Sequence, residues 1–244
     1  MSRKEEEIRK LLENAQSDIE SDHLKEGADK FRSAMQIAQD TGNKELVRQV
    51  QIRADELFGK FGFDTGIQSI ELDPIETDGL ILDIGGGGAG IIGKLNGKKV
   101  VAIDTVEKEL EETQNDALKI VMDATDLKFR PRSFTVCTAF FSLMYIPDDQ
   151  HLRVFREAYR VLKGGGKFLM WDVKIPERLR GYRAFVVHLK VRLPSEEVET
   201  GYGTSWDKVQ SIEYFKELAR KTGFRVMKEW SKDEIFHLEM TKKA

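Results

Sequence analysis

One cysteine, four histidines and no long apolar run set the first limits on this chain of 244 residues. Cys137 stands alone, so the chain cannot close a disulfide on itself, and chemistry that needs two thiols is excluded. His23, His151, His188 and His237 are scattered without the spacing of metal ligands, and no metal site is expected. No uninterrupted apolar stretch approaches the roughly 18 residues that span a bilayer. The amino terminus, MSRKEEEIRK, lacks the apolar core of a secretory signal. These absences predict a soluble protein in a cytoplasmic, reduced setting, with no membrane partner. A formal charge of -3 adds that nothing in the overall balance draws the chain toward nucleic acid or anionic lipid.

What is present is enough apolar material, 40% of the residues, for one substantial domain and a small appendage. In residues 1–62 apolar positions recur at helical spacing in three sets: Ile8 to Ile19, Phe31 to Ala38, and Leu46 to Leu57. Breaks at Ser21-Asp22 and Thr41-Gly42-Asn43 divide them into three predicted helices. The middle of this segment, GADKFRSAMQIAQDTGNKEL, resembles one tetratricopeptide-type helix pair. A lone repeat of that kind gains its core by packing on a neighbour, so residues 1–62 are expected to form a helical cap.

Residues 63–244 follow another rhythm. GLILDI (79–84), KKVVAID (98–104), LKIVMDA (118–124), FTVCTAFF (134–141) and GKFLMWDV (166–173) are short and almost continuously apolar, as strands buried on both faces are. Helical patterns separate them, and the one over DDQHLRVFREAYRVLK is expected to end in a left-handed cap supplied by the glycines after Lys163. The fold class predicted is α/β, a doubly wound, mostly parallel sheet whose ligands lie at the carboxyl ends of the strands. After the fifth strand, Phe185 to Leu193 alternate apolar with polar residues and Val198 to Tyr202 can return as a hairpin. Residues 174–206 are therefore read as an inserted β-arm or lid.

The stretch LILDIGGGGAG carries the chemistry. Gly85, Gly87 and Gly90 fit the dinucleotide fingerprint G-x-G-x-x-G, while Gly88 to Lys94 fit a phosphate loop, which fails at Leu95 for want of a hydroxyl. Asp83 bears on the choice. A pyrophosphate ~4 Å from its carboxylate would be repelled by several kcal/mol at a near-surface dielectric, whereas a cation would be attracted. S-adenosylmethionine is cationic and has no phosphate. An NAD(P)-dependent oxidoreductase, and a binding or scaffold protein that keeps the fold without chemistry, remain as alternatives.

Taken in order, these motifs resemble the class I S-adenosylmethionine-dependent methyltransferases, in particular the type 11 group. LDIGGGGAG is similar to the first family motif, Asp104 closes the second strand, MDATDLKF follows the third, CTAFFSLMYIPD holds the fourth, and VLKGGGKFLMWD leads into the fifth. SIEYFKELARKTGFRVMKEW and EIFHLEMTK resemble the approach to the sixth strand and the antiparallel seventh, which completes an expected seven-stranded sheet. The resemblance implies a methyltransferase using S-adenosylmethionine. Its cofactor contacts would be Asp83, Ile84, Gly85, Gly86, Gly87, Asp104, Thr105, Asp123, Ala124 and Phe140, with Asp104 on the ribose hydroxyls and Asp123 and the Ala124 N–H on adenine. Ala89 departs from the family by standing where a third glycine is common.

Methyl transfer needs positioning more than a dedicated acid or base, so no catalytic residue is assigned. Candidate substrate contacts are Tyr145, Arg183, Tyr202 and Trp206. The expected acceptor is a small molecule. Eleven basic residues between His151 and Arg192, against Glu157, Asp172 and Glu177, leave a nucleic-acid or protein acceptor as an alternative, and the 174–206 arm leaves a homodimer contact.

Overall fold

A computed structural model describes residues 2–244. Three helices come first: α1 (Arg3–Glu20), α2 (Leu24–Asp40) and α3 (Lys44–Phe61). Ser2 and Glu5 form a reciprocal capping box on α1, and the Asn43 side chain accepts from the N–H groups of Glu45 and Leu46 on α3. Asp22 and Gly42, both at φ +68, take the left-handed turns between helices. α1 and α2 pack closely because Gly27 has no side chain: a Cβ there would lie 2.5 Å from Ile19 Cγ1. Ala15, Ile19, Leu24, Phe31 and Leu57 share one core with Ala184. These helices, with Glu177–Val186 and Gly203–Lys208, form one of two compact units.

The other unit comprises Gly66–Pro176, Val187–Tyr202 and Val209–Ala244. Its framework is a seven-stranded sheet of β2 (Ile81–Ile84), β3 (Val100–Asp104), β4 (Leu118–Val121), β5 (Phe134–Phe140), β6 (Leu162–Val173), β9 (Phe224–Lys232) and β10 (Ile235–Lys242). The order is β4-β3-β2-β5-β6-β10-β9. β2 pairs in parallel with both β3 and β5, β6 runs parallel to β5, and β10 returns antiparallel between β6 and β9. The chain winds outward from β2 to β4 and then comes back to lay β5 against β2. The connections therefore switch direction between β2 and β5, and in such sheets ligands bind at the carboxyl ends of the strands at that point. On one face α6 (Asp148–Val161) and α7 (Ile212–Thr222) bury Val154, Phe155, Ala158, Phe215 and Leu218 against Leu82, Ile84, Phe168 and Phe236. Ser211 caps α7 and Gly223, at φ +91, ends it.

Two further helices, α4 (Ile91–Asn96) and α5 (Glu107–Glu112), are only six residues long. β1 (Gly62–Glu71), β7 (Ala184–Arg192) and β8 (Glu197–Ser205) make a second sheet in the order β1-β7-β8, so the expected hairpin is joined by a strand the sequence reading did not anticipate. β1 escaped because GFDTGIQSIE is polar and buries only Gln68 and Ile70. Along β7 the side chains of Phe185, Val187, Leu189 and Val191 are buried, as their alternation predicted. Among the described residues no helix is long and apolar enough to cross a membrane.

The end of α6 differs from expectation. Its cap residue is Leu162, already in extended conformation, and Gly164 to Gly166 lie within β6. The carbonyls left over at the helix end are met from elsewhere in the fold. Lys242 Nζ donates to the oxygens of Tyr159 and Leu162, each at 2.7 Å, and the Arg132 N–H donates to that of Arg160. Lys242→Met is expected to lower the unfolding free energy by about 1–3 kcal/mol, since it leaves two carbonyls without a charged donor. Urea denaturation measures this.

Candidate functional site

β2 buries all four of its residues, including a carboxylic acid. Asp83 is 2% exposed, and its Oδ1 accepts a 2.7 Å hydrogen bond from Thr138 Oγ1 on the adjoining strand β5. Burial pushes its carboxyl pKa up to about 7; the Thr138 bond opposes this, and the nearby charge of Asp104 adds to it. Immediately beyond, Gly85 turns the chain at φ +71, and its N–H and that of Gly86 both donate to Ile103 O on β3. A Cβ on Gly85 would lie 2.3 Å from Ser142 Cβ, and one on Gly86 would lie 2.7 Å from Asp83 Oδ2. The glycines thus let the turn close over the Asp83 carboxyl while β3 and the end of β5 press in from either side.

The sequence-predicted cofactor residues lie on this turn and at the carboxyl ends of β2, β3, β4 and β5. Asp104 ends β3 and its Oδ1 accepts from the Val106 N–H, so it makes a local turn; the residue that caps α5 is Val106. Its Oδ2 would be 3.0 Å from a Cβ on Gly87, which places the carboxylate beside the glycine turn. Thr105 is exposed next to it. Past β4, Asp123 Oδ1 accepts from the Thr125 N–H at 2.7 Å, and Ala124 is buried behind it. The Met122 N–H donates to Asp104 O, tying the ends of β3 and β4 together.

At the end of β5, Phe140 is buried and Phe141 adopts φ +51, a left-handed conformation that is strained for a side chain of this size. The Phe141 N–H donates to Trp171 O, and the Ser142 hydroxyl donates to Ile84 O at 2.7 Å. A single 3₁₀ turn, Leu143–Tyr145, follows and presents Tyr145 at 53% exposure. Beneath it lies His151, which is fully buried on α6. Its Nε2 donates to Leu143 O at 2.9 Å, and its Nδ1 is 3.0 Å from the Tyr214 hydroxyl. Sequence reading found none of Thr138, Ser142, His151 or Tyr214. They belong to the site only because strands and helices distant in the chain meet there, and no local pattern marks them.

The four candidate substrate contacts divide between the two units. Tyr145 and Tyr202 belong with the glycine turn; Tyr202 stacks on Phe141, with centroids 5.2 Å apart and planes at 18°. Arg183 and Trp206 belong with the helices. There Arg183 pairs with Asp22, donates to Glu20 O and lies over the Phe61 ring, while Trp206 is 1% exposed among Phe63, Tyr182 and Phe185. Much of the basic run is also engaged. Arg160 pairs with Glu157, Lys167 with Glu239, Arg178 with Asp22, Lys190 with Glu197 and Glu199, and Arg192 with Glu71 and Glu197. Among the described residues no group of three or more His, Cys, Asp and Glu side chains could hold a metal. Cys137 is fully buried, and burial pushes its thiol well above the ordinary range.

The Asp83 carboxyl sets a pH dependence of stability. Its folded pKa lies above the value near 4 of an open chain, so between pH 4 and 7 the folded state holds a proton that the unfolded state has released. Stability from this group therefore falls as pH rises through that interval and is level above it. Asp83→Asn is expected to remove the fall. In urea titrations at a series of pH values, the variant's advantage over the native chain should grow up to about pH 7 and then stop growing.

Comparison with known proteins agrees with this geometry. Residues 82–170 match the family described as a methyltransferase domain. Over 96 residues the chain is 36% identical to a sterol 4-C-methyltransferase, strm-1 of Caenorhabditis elegans, a match that covers 39% of this chain and spans only 28% of that protein. Among solved structures, a SAM-dependent methyltransferase from Methanosarcina mazei superposes with TM-score 0.52 at 18% identity over 71% of this chain and 99% of its own. A protein from Pyrococcus horikoshii OT3 does so with TM-score 0.53 at 19% identity, over 82% of this chain and 92% of its own. These two likenesses are of fold. The stretch that matches the methyltransferase domain runs across β2 to β6, through the glycine turn and the end of β5.

Proposed function

We propose that the protein transfers the methyl group of S-adenosylmethionine to a small-molecule acceptor, and that the cofactor lies across the carboxyl ends of β2, β3 and β4. The observation that carries this reading is the glycine turn built directly over a buried carboxyl. A turn of that form suits the ammonium of the cofactor's methionyl end and is hostile to a pyrophosphate. The chemistry supplied by bound S-adenosylmethionine is a methyl group on positive sulfur, passed to a nucleophile by in-line displacement.

The chain's own part is to bind and orient. Asp83 holds the ammonium, and the bare backbone of Gly85 to Gly87 gives the methionyl portion room, with Ile84 beneath. Asp104 accepts from the ribose hydroxyls beside Thr105. Asp123 and the Ala124 N–H read the adenine edge, and Phe140 supplies an apolar wall. On the acceptor side stands Tyr145, presented by the turn that His151 anchors. Fixing the acceptor at attack distance accounts for most of what such a site must do, and positioning of this kind removes up to ~7–11 kcal/mol of barrier. A small-molecule acceptor is supported by the partial likeness to a sterol methyltransferase. The pairing of arm cations with Glu71, Glu197 and Glu199 favours it over nucleic acid.

Two measurements by titration calorimetry test the cofactor assignment. Asp104→Ala is expected to weaken binding of S-adenosylhomocysteine at least about tenfold, or ~1.4 kcal/mol. In the native protein the same affinity should fall as pH drops below about 7, because the ammonium favours the ionised form of Asp83, and Asp83→Asn should flatten that dependence. Tight binding of NAD(H) with indifference to the sulfur nucleoside would reverse the assignment.

A further inference from the structure

The methionyl end of the cofactor carries two charges on one carbon, an ammonium and a carboxylate. Asp83 answers the first. Most of the glycine turn's donors are already employed within the protein. The N–H groups of Gly85 and Gly86 go to Ile103 O, that of Gly88 to Glu109 O and that of Gly90 to Gly87 O. Hydroxyls at the turn are employed as well: Thr138 donates to Asp83 Oδ1, Ser142 to Ile84 O and Thr113 to Gly88 O.

A further hydroxyl-bearing ring packs against the end of β5, and it comes from the inserted arm. Tyr202 on β8 is half-buried, its ring stacked on Phe141 and 6.5 Å from that of Phe140. Phe141 precedes Ser142, whose Cβ underlies Gly85, so a short run of contacts ties the Tyr202 ring to the turn above Asp83. The phenol is within electrostatic range of Asp83, Asp172 and Tyr145; burial first, and then these neighbours, push its pKa well up, so it keeps its hydrogen. A protonated phenol can donate its O–H as well as accept. Gly201 and Gly203 flank it in the strand.

We propose that Tyr202 belongs to the cofactor site, its phenolic O–H donating to the methionyl carboxylate of S-adenosylmethionine opposite Asp83, so that the arm inserted after β6 completes that site. This rests on the reading of the chain as a binder of S-adenosylmethionine, and it moves Tyr202 from the acceptor to the cofactor. A hydrogen bond to a charged group in a partly desolvated site is among the stronger single contacts.

Titration calorimetry with three probes tests it: S-adenosylhomocysteine, its decarboxylated analogue, and 5′-methylthioadenosine, which lacks the amino-acid end. Tyr202→Phe keeps the ring on Phe141 and removes only the hydroxyl. It is expected to weaken S-adenosylhomocysteine about tenfold or more and to leave the other two probes within about twofold of the native protein. An unchanged affinity for S-adenosylhomocysteine overturns the proposal. Equal weakening of all three probes overturns it as well, because the hydroxyl would then support the fold of the site and not the carboxylate. If the native protein binds none of the three, the cofactor reading itself fails, an outcome distinct from a native protein that binds all three and a variant that does not discriminate.

Discussion

The site depends on a carboxylic acid placed where water cannot reach it. Burying a carboxyl is unfavourable unless it is hydrogen-bonded, and Asp83 has a single hydroxyl partner, Thr138, on the strand beside it. The arrangement is tolerated because both groups stand on central strands whose register is set by many other contacts: Asp83 pairs with Ala102 on one side and Thr138 on the other. What remains is a group whose ionised form is bonded to one hydroxyl and has no cation beside it to offset its burial. A strained or incompletely satisfied group in an otherwise well-packed fold is a frequent mark of a functional site.

The features around it serve to keep that acid in place and the space above it clear. Gly85 and Gly86 allow three strand ends to approach within contact of one another, which any Cβ would prevent. Phe141 holds a left-handed conformation because its N–H is bound to Trp171 O and the next residue is tied to Ile84 O. The strain is offset by these bonds, and its effect is to direct the chain after β5 back toward the glycine turn. His151 and Tyr214 then hold the turn that carries Tyr145. Each link in this chain of contacts comes from a different element, so the site's geometry is a property of the whole sheet.

The electrostatics of the chain divide in the same way. Its many charges are mostly matched at short range on exposed faces, as across the arm, where Glu71, Arg192, Glu197, Lys190 and Glu199 form a ladder between neighbouring strands. Such pairs contribute little to stability individually but leave no large field of one sign. The unmatched charge that matters chemically is the buried acid.

The parallel strands, the helices of residues 1–62 and the glycine turn were legible in the amino-acid order, because each is set by local rules: unbroken apolar runs for buried strands, helical spacing for amphipathic helices, and glycine where the backbone must turn left. Asp83, Asp104 and Asp123 were legible for the same reason, each lying at or near the end of a recognisable strand. β1 was not, being polar and dependent on β7 for its pairing, and the end of α6 was misread because Lys242, eighty residues away, provides the cap that the adjacent glycines do not. Nor could local pattern foretell that Tyr202 stacks on Phe141 whereas Arg183 and Trp206 pack with the helices. The sequence by itself determined where the glycine turn falls and which acid lies beneath it. Only the tertiary structure decided which distant hydroxyls and rings surround that turn, because side chains separated by many residues meet through the pairing of strands, and that pairing is a collective outcome of packing the sheet.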